Sequence, residues 1–160
     1  MSICKRLSLN TTVISMFSPS KPTVPEGFIR WLAAADAEGT IFLSVLTVHE
    51  IEKGVALLER KGATARGASL RLWLSGLVST YDDRILSIDT TVSTRSGQLG
   101  AIAVAAGHSP GMADALIAGT AKVHDLVVVT RNPKHFDPFG IGVMAPGADD
   151  PRNSGGSLEQ

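Results

Sequence analysis

Apolar residues occur in clusters along the chain, and their spacing alternates between the patterns typical of strands and of helices. Compact apolar runs, which favour buried strands, occupy residues 6–9, 41–46, 84–88, 126–130 and 143–146. Apolar residues at helical spacing lie between these runs, over residues 28–38, 48–58, 68–81, 90–106 and 112–121. Because strands alternate with helices, the pattern predicts an α/β domain with a mainly parallel central sheet flanked by helices.

Polar residues predict where several helices begin. Thr47 and Glu50 have the spacing of a capping box, and Asp89 stands where it would cap the following helix. Ser109 followed by Pro110 is typical of an N-cap with proline in the first turn. We therefore expect side-chain caps at the helices that follow these residues.

Prolines and glycines predict the loops and the end of the folded domain. Three prolines within residues 16–25, and glycines at both ends of residues 62–67, predict a loop in each segment. Residues 147–160 are rich in Gly, Ser, Asp, Pro and Asn, which predicts a disordered tail. The folded domain is therefore expected to span residues 1–146.

Length and composition are those of a globular protein with one domain. The 160 residues are 44% hydrophobic, and no apolar stretch approaches the length that crosses a bilayer, so no membrane partner is expected. Lys5 and Arg6 precede a short mixed stretch and not the long apolar core of a secretory signal, which predicts a cytoplasmic protein. A single cysteine, Cys4, excludes an internal disulfide and cysteine-based zinc sites.

The overall charge gives no argument for a nucleic-acid partner, because 15 basic residues balance 15 acidic ones. Basic residues cluster within residues 53–71, which we interpret as a solvated helix face. A second basic cluster consists of Arg131, Lys134 and His135. Any contact with nucleic acid is therefore expected to be local.

Asp114 is an ionisable residue on an otherwise small and apolar helix. At helical spacing it shares a face with Ile117, Ala118 and Ala121, so the face expected to pack inward carries a carboxyl group. Because an unpaired buried carboxylate is costly, the fold must supply a partner such as a cation. Alternatively, Asp114 complements the positive end of its helix.

Further candidates follow the predicted strands, because ligands bind beyond the carboxyl ends of the strands in an open parallel sheet. Glu50 is either a ligand or the capping-box partner of Thr47, whereas Asp89 is interpreted as a helix cap. Arg131 either holds a phosphate or pairs with a carboxylate. The residues after the strands are Asn10, Thr11 and Thr12 after the first, Glu50 after the second, Asp89 after the third, and Thr130, Arg131 and Asn132 after the fourth.

Four segments at these positions carry a resemblance to a known family. They are LNTTVIS at 9–15, SVLTVHEI at 44–51, ADALIA at 113–118 and VTRN at 129–132. In order and spacing they resemble the PIN domain, specifically the VapC-type toxin ribonucleases, over residues 5–146. The resemblance implies a three-layer sandwich and a metal-dependent endoribonuclease that hydrolyses RNA phosphodiesters as the toxin of a toxin-antitoxin pair. It also implies Mg²⁺ or Mn²⁺ as cofactor, a cognate antitoxin and a homodimer.

Two acidic positions of the family match this chain, and a third does not. Glu50 and Asp114 correspond to catalytic, metal-holding carboxylates. Similar proteins have aspartate after the first strand, where this chain has Asn10. An amide oxygen can coordinate a hard cation, but Asn10 brings no negative charge and cannot act as a base for water. Metal affinity is therefore expected to fall, and turnover more so.

We expect further residues around the same sheet edge to support the binding of the metal ion or of phosphate. The fourth acidic position of the family falls near Asn132, and Asp137 in the following loop offers a substitute carboxylate. Arg131 is a candidate for phosphate binding, and Thr11 is a candidate for support of the neighbouring ligand. Asn10, Glu50 and Asp114 remain the predicted metal ligands.

Two other functions stay open at this point. The first is a catalytically silent PIN-like protein that binds RNA or an antitoxin, which the uncharged Asn10 favours. The second is a metal phosphoesterase acting on DNA or small phosphates. Motifs for a P-loop, a dinucleotide site, a zinc-protease helix and a nucleophile elbow are absent from the sequence.

Overall fold

A parallel sheet forms the centre of the molecule in a computed structural model, which describes residues 5–20 and 24–147. Its strands in the described part of the chain are β1 (Leu7–Leu9), β2 (Ile41–Ser44), β3 (Ile85–Leu86), β4 (Val127–Val129) and β5 (Val143–Met144). Their spatial order is β3-β2-β1-β4-β5, and each neighbouring pair runs parallel. The predicted parallel sheet is thus confirmed, whereas Cys4 and residues 148–160 of the predicted tail lie outside the described residues.

Helices connect these strands and cover the sheet. Within the described residues they are α1 (Thr11–Ile14), α2 (Glu26–Ala37), α3 (Val45–Arg60), α4 (Thr64–Thr80), α5 (Thr90–Ala105) and α6 (Met112–His124). Short 3₁₀ turns occupy Ser15–Phe17, Asp82–Arg84, Pro133–His135 and Asp137–Phe139. None of the helices in residues 5–20 and 24–147 combines the length and apolar character needed to cross a membrane.

Two hydrophobic cores lie on opposite faces of the sheet, because successive side chains of a strand point to opposite sides. On β4, Val129 packs in one core and Val128 in the other. The first core holds buried residues of α1 to α4, such as Val13 and Ile51. The second holds buried residues of α5 and α6, such as Ile117. This arrangement confirms the expected three layers.

The strand order creates a crevice at one place on the sheet edge. β1 lies in the middle, with β2 on one side and β4 on the other. The helices that lead from β1 to β2 cover one face, and those that lead from β3 to β4 cover the other. The place between β1 and β4, where the connections change from one face of the sheet to the other, is called the switch point. In such sheets the connections diverge there and leave a crevice beyond the carboxyl ends of the strands. The residues after β1 and β4 are thus brought together.

The predicted capping box at Thr47 and Glu50 is wrong. The apolar run of β2 continues into the helix, because α3 begins at Val45 and Ser44 is its N-cap. The Ser44 hydroxyl accepts a hydrogen bond from the Leu46 N–H at 3.1 Å. Thr47 is instead a buried residue of the helix, so Glu50 is left without a capping role.

The other predicted boundaries had mixed outcomes. The Asp89 cap is confirmed, since its carboxylate accepts a hydrogen bond from the Val92 N–H at 2.9 Å. The Ser109 cap is wrong, because α6 starts after Gly111 without a side-chain cap. The loop at 62–67 is shorter than predicted, because α4 already begins at Thr64.

Helices α5 and α6 approach most closely where Gly119 faces Ser96. A Cβ atom at Gly119 would lie 2.9 Å from the Ser96 backbone nitrogen, which real structures essentially never show. The Ser96 hydroxyl also donates a hydrogen bond to the Val92 carbonyl at 2.8 Å, so it has little freedom to move away. The position therefore requires glycine.

We expect Gly119→Ala to lower the free energy of unfolding by about 1–3 kcal/mol, because the added methyl overpacks the helix pair. Gly100→Ala on α5 is the matched control, since a Cβ there meets no atom within 4 Å. That change should raise stability by roughly 0.5–1 kcal/mol through helix propensity. Urea denaturation of both variants measures the difference, and equal stability of the two would contradict the close contact.

Candidate active site

A cavity of about 630 Å³ opens at the carboxyl edge of the sheet, where β1 and β4 end. Six of the seven residues singled out from the sequence line this cavity, and they come from four different parts of the fold. They are Asn10 and Thr11 after β1, Glu50 on α3, Asp114 on α6, and Arg131 and Asn132 after β4. Asp137, the seventh, is exposed and is not among the described residues that line the cavity.

Asn10 is fixed at the start of α1 by its own side chain. The Oδ1 atom accepts a hydrogen bond from the Thr11 N–H at 2.8 Å and thereby caps the helix. The Nδ2 atom donates to the hydroxyl of Thr130 at 3.1 Å. The amide is thus held in a single orientation, with one lone pair of Oδ1 already engaged.

Thr130 joins the two strand ends on either side of the crevice. Its hydroxyl oxygen accepts from Asn10 Nδ2 and also from the Asn132 N–H, at 3.1 Å in both cases. The backbone makes a parallel link, because the Asn10 N–H donates to the Val129 carbonyl at 2.9 Å. Thr130 is completely buried, whereas Asn10 is partly buried and Asn132 is exposed.

Glu50 lies in the second turn of α3, on the wall of the cavity. Its side chain is partly buried and makes no hydrogen bond or ion pair with other residues of the described ranges. A neighbouring contact holds α3 against α1, since the Thr11 hydroxyl donates to the Thr47 hydroxyl at 3.2 Å. Glu50 is therefore positioned by its helix, and its carboxylate is available to a ligand.

Asp114 lies in the first turn of α6 with its carboxyl group turned toward the cavity. Burial raises the pKa of Asp114, and the positive charge that His135 carries when protonated partly opposes this effect. His135 Nδ1 lies 3.8 Å from Asp114 Oδ2. The side chain of Asp114 remains 31% exposed, so a ligand can reach it. The carboxyl group thus lies half-buried at the wall of the cavity.

His135 is a site residue whose role sequence reasoning missed. His135 was grouped with basic loop residues, yet the 3₁₀ turn Pro133–His135 brings it back to the cavity beside Asp114. A signal was present in the sequence, because Pro133, four residues after the end of β4, favours a turn. Thr130, in contrast, supports its neighbours as a threonine at a strand end usually does.

The oxygen atoms around the cavity are suited to a hard divalent cation. Two carboxylates, Glu50 and Asp114, and the free lone pair of Asn10 Oδ1 are the ligand types that Mg²⁺ prefers. Among the described residues, no group of three or more His, Cys, Asp or Glu side chains is arranged to hold a metal ion. The residues thus fit a cation that keeps several waters, with less negative charge than three carboxylates would give.

Comparison with known proteins settles the family. The model of the PIN domain matches residues 10–138, which include Asn10, Glu50 and Asp114. The chain belongs to the PIN-domain family. Toxin FitB of Neisseria gonorrhoeae is 35% identical over 141 residues, which cover 88% of this chain and 98% of that protein. The VapC ribonuclease Y4jK of Sinorhizobium fredii is 31% identical over 86% of this chain and 95% of its own length.

Solved structures of the PIN-domain family agree with this assignment. The crystal structure of FitAcB from Neisseria gonorrhoeae matches with a TM-score of 0.77 and 32% identity, covering 89% of this chain and 99% of that one. The DNA-bound VapBC structure from Salmonella typhimurium matches with a TM-score of 0.71 and 25% identity, over 88% and 98% of the two chains. The predicted kinship with VapC-type toxins is thus confirmed.

Proposed function

We propose that this PIN-domain protein is a Mg²⁺-dependent or Mn²⁺-dependent endoribonuclease that hydrolyses RNA phosphodiesters, with activity reduced by Asn10. One observation carries the proposal: Asn10, Glu50 and Asp114 come from three separate elements and line one cavity at the switch point of the sheet. A relative named as a VapC ribonuclease supports the reaction class.

Each residue around the cavity has a distinct role in this reaction. Glu50 and Asp114 hold the cation, and Asn10 Oδ1 adds a neutral third ligand. When bound, the cation neutralises phosphate charge and activates water for attack on phosphorus. Arg131 at the rim binds a phosphate of the substrate through its guanidinium. The loss of charge at Asn10 weakens ion binding without changing the shape of the site.

The biological role that fits this activity is the toxin of a toxin-antitoxin pair. The VapBC and FitAcB structures support a cognate antitoxin as partner. A cytoplasmic location belongs to the same proposal, because a ribonuclease must meet cellular RNA. The homodimer that the family resemblance implies is also part of the proposal. In this role the antitoxin would restrain whatever cleavage activity the chain retains.

The proposal is tested by incubating the purified chain with end-labelled RNA and single-stranded DNA of the same sequence. We expect RNA cleavage with Mg²⁺ or Mn²⁺ and none with EDTA, because the reaction requires the cation. Cleavage that persists in EDTA would identify a contaminating ribonuclease. Equal cleavage of DNA would favour a general phosphoesterase, and intact RNA under every condition would refute the nuclease assignment.

A second candidate function is a silent PIN-like protein that binds RNA or an antitoxin without cutting. The observation in its favour is again Asn10, whose amide supplies neither charge nor a base. The two functions differ in what restoring the carboxylate should do, so the Asn10→Asp variant separates them.

A further inference from the structure

A second cavity, of about 560 Å³, adjoins the catalytic cavity. The two share the side chains of Met16, Pro25 and Arg131, so they form a continuous cleft along the surface. Glu50 lines the first cavity and is not among the described residues that line the second. A substrate strand that reaches the carboxylates can therefore continue into it. Its volume falls within the range of roughly 300–1,000 Å³ that is typical of small-ligand sites.

The walls of this second cavity suit a flat, apolar group. One wall is the first turn of α2, with Gly27 and the buried ring of Phe28, and the opposite wall includes Ala145 after β5. The Phe28 ring packs against Phe17 and Trp31, with ring centroids 5.2 and 5.7 Å away. The described residues of this wall include no acidic side chain. The described lining is thus largely apolar and carries no negative charge that would repel an anion.

Arg131 places a positive charge at the junction of the two cavities. It directly follows Thr130 at the end of β4, is exposed, and makes no ion pair with other residues of the described ranges. It is the single arginine or lysine among the described residues that line either cavity. A phosphate bound there would lie between the carboxylates and the apolar cavity.

From this arrangement we propose that the second cavity binds the base of a nucleotide that flanks the cleaved phosphodiester, while Arg131 holds its phosphate. The inference rests on the proposed function, since it adds a specificity subsite to the same cleft. Proteins commonly recognise RNA by placing unstacked bases against apolar and aromatic side chains. The chain would therefore select among RNA sequences through this base and not through the phosphates.

The experiment uses variants that fill the cavity without disturbing the fold. A Cβ at Gly27 meets no atom within 4 Å, so Gly27→Leu extends into free space. Ala145→Leu narrows the cavity from the other wall and serves as a second, independent block. Gly76→Leu is the matched control, because Gly76 is also helical, also has free space around its Cβ, and lies outside both cavities. Arg131→Gln removes the charge alone.

Binding is measured by NMR titration in EDTA, with the four nucleoside 5′-monophosphates and with ribose 5-phosphate as the baseless probe. We expect at least one nucleotide to bind about tenfold more tightly than ribose 5-phosphate, because its base removes apolar surface of the cavity from water. Gly27→Leu and Ala145→Leu should remove this preference and leave the binding of ribose 5-phosphate unchanged. Arg131→Gln should weaken all five probes, and Gly76→Leu none.

Two results would overturn the subsite. One is that none of the nucleotides binds more tightly than ribose 5-phosphate. The other is that both leucine variants keep the full preference of the unmodified chain, which would place the base elsewhere. If nucleotides do not bind but Gly27→Leu disrupts a complex with a partner protein, the cavity is a protein-docking site. Because these titrations involve neither a divalent ion nor cleavage, their failure is distinct from failure of the nuclease proposal.

Discussion

Replacing Asn10 with aspartate is expected to increase both divalent-ion affinity and RNA cleavage. We expect at least about a tenfold gain in Mn²⁺ affinity. Two unit charges 4 Å apart attract by roughly 4 kcal/mol at an effective dielectric constant of 20, and desolvation cancels only part of this. Cleavage should rise by a larger factor, because the new carboxylate also assists in activating water.

The surroundings of Asn10 accept this change without rearrangement. The oxygen that now caps α1 is retained, so the hydrogen bond from the Thr11 N–H persists. The Nδ2 donor becomes an oxygen, and the Thr130 hydroxyl, which now accepts from it, can rotate its hydrogen to donate instead. The hydroxyl oxygen still accepts from the Asn132 N–H. Asn10→Asp therefore alters charge and leaves geometry in place.

Calorimetric titration with Mn²⁺ and a labelled-RNA assay measure the two gains separately. Gln98→Glu is the matched control, because it makes the same change from amide to carboxylate at an exposed position on α5, outside the cavity. It should leave both quantities unchanged. If Asn10→Asp binds the ion more tightly and still leaves RNA intact, the silent binding protein is the better description.

Replacing Asp114 with asparagine is expected to change activity and stability in opposite directions. Cleavage should fall on the order of 10²-fold or more, because a charged group at the reacting centre is lost. In EDTA the variant should nevertheless be more stable than the unmodified chain at pH 7, because burial raises the pKa of Asp114. The ionised carboxylate is thus a cost to the folded state.

The pH dependence of this stability difference follows from the direction of the pKa shift. Below the carboxyl group's ordinary value of 3.8 it is protonated in both folded and unfolded chains, so the cost disappears. The cost develops as pH rises from that value through the raised pKa of the folded state. It is complete above the raised pKa. The variant's advantage should therefore be absent near pH 3 and full at pH 7.

Thermal melts compare the stability of the unmodified chain with that of Asp114→Asn. They are recorded in EDTA and in Mg²⁺, each near pH 3 and at pH 7. Added Mg²⁺ should stabilise the unmodified chain and have little effect on Asp114→Asn, since ligand binding stabilises only the form that binds. Asp137→Asn is the control, because Asp137 is exposed and does not line the cavity; it should change neither melts nor cleavage. Loss of stability in Asp114→Asn at pH 7 in EDTA would contradict the assigned desolvation. A loss of cleavage in Asp137→Asn would revive its role as a substitute carboxylate.

The sequence pattern predicted the order of strands and helices, and with it the edge where the site lies. Asn10 and Arg131 were located correctly because each directly follows an apolar run that forms a strand. Once the strands are parallel, their carboxyl ends share an edge, so these residues must be neighbours. The apolar face of its helix likewise indicated that Asp114 turns toward the protein, where it lies half-buried at the cavity.

The helix boundaries that were predicted wrongly lie where the spacing of apolar residues does not distinguish a helix from the segment before it. Val45 and Leu46 extend the apolar run of β2, yet they already belong to α3, so the true cap at Ser44 was hidden within the run. Gly67 was interpreted as part of a loop but lies inside α4, where a Cβ would come within 2.9 Å of Glu59 Cγ. Such close approaches depend on tertiary packing, which a local pattern does not contain.

The Thr130 junction has a consequence for how the site responds to its ligands. One buried hydroxyl ties the residue after β1 to the residues after β4, so we expect the crevice to keep its shape when an ion or substrate binds. Ordering the chain then costs little free energy when an ion binds. The affinity for the ion therefore depends mainly on the charge of the residues that line the cavity. Replacing a single side-chain atom at position 10 would therefore change the charge of a cavity whose shape stays constant.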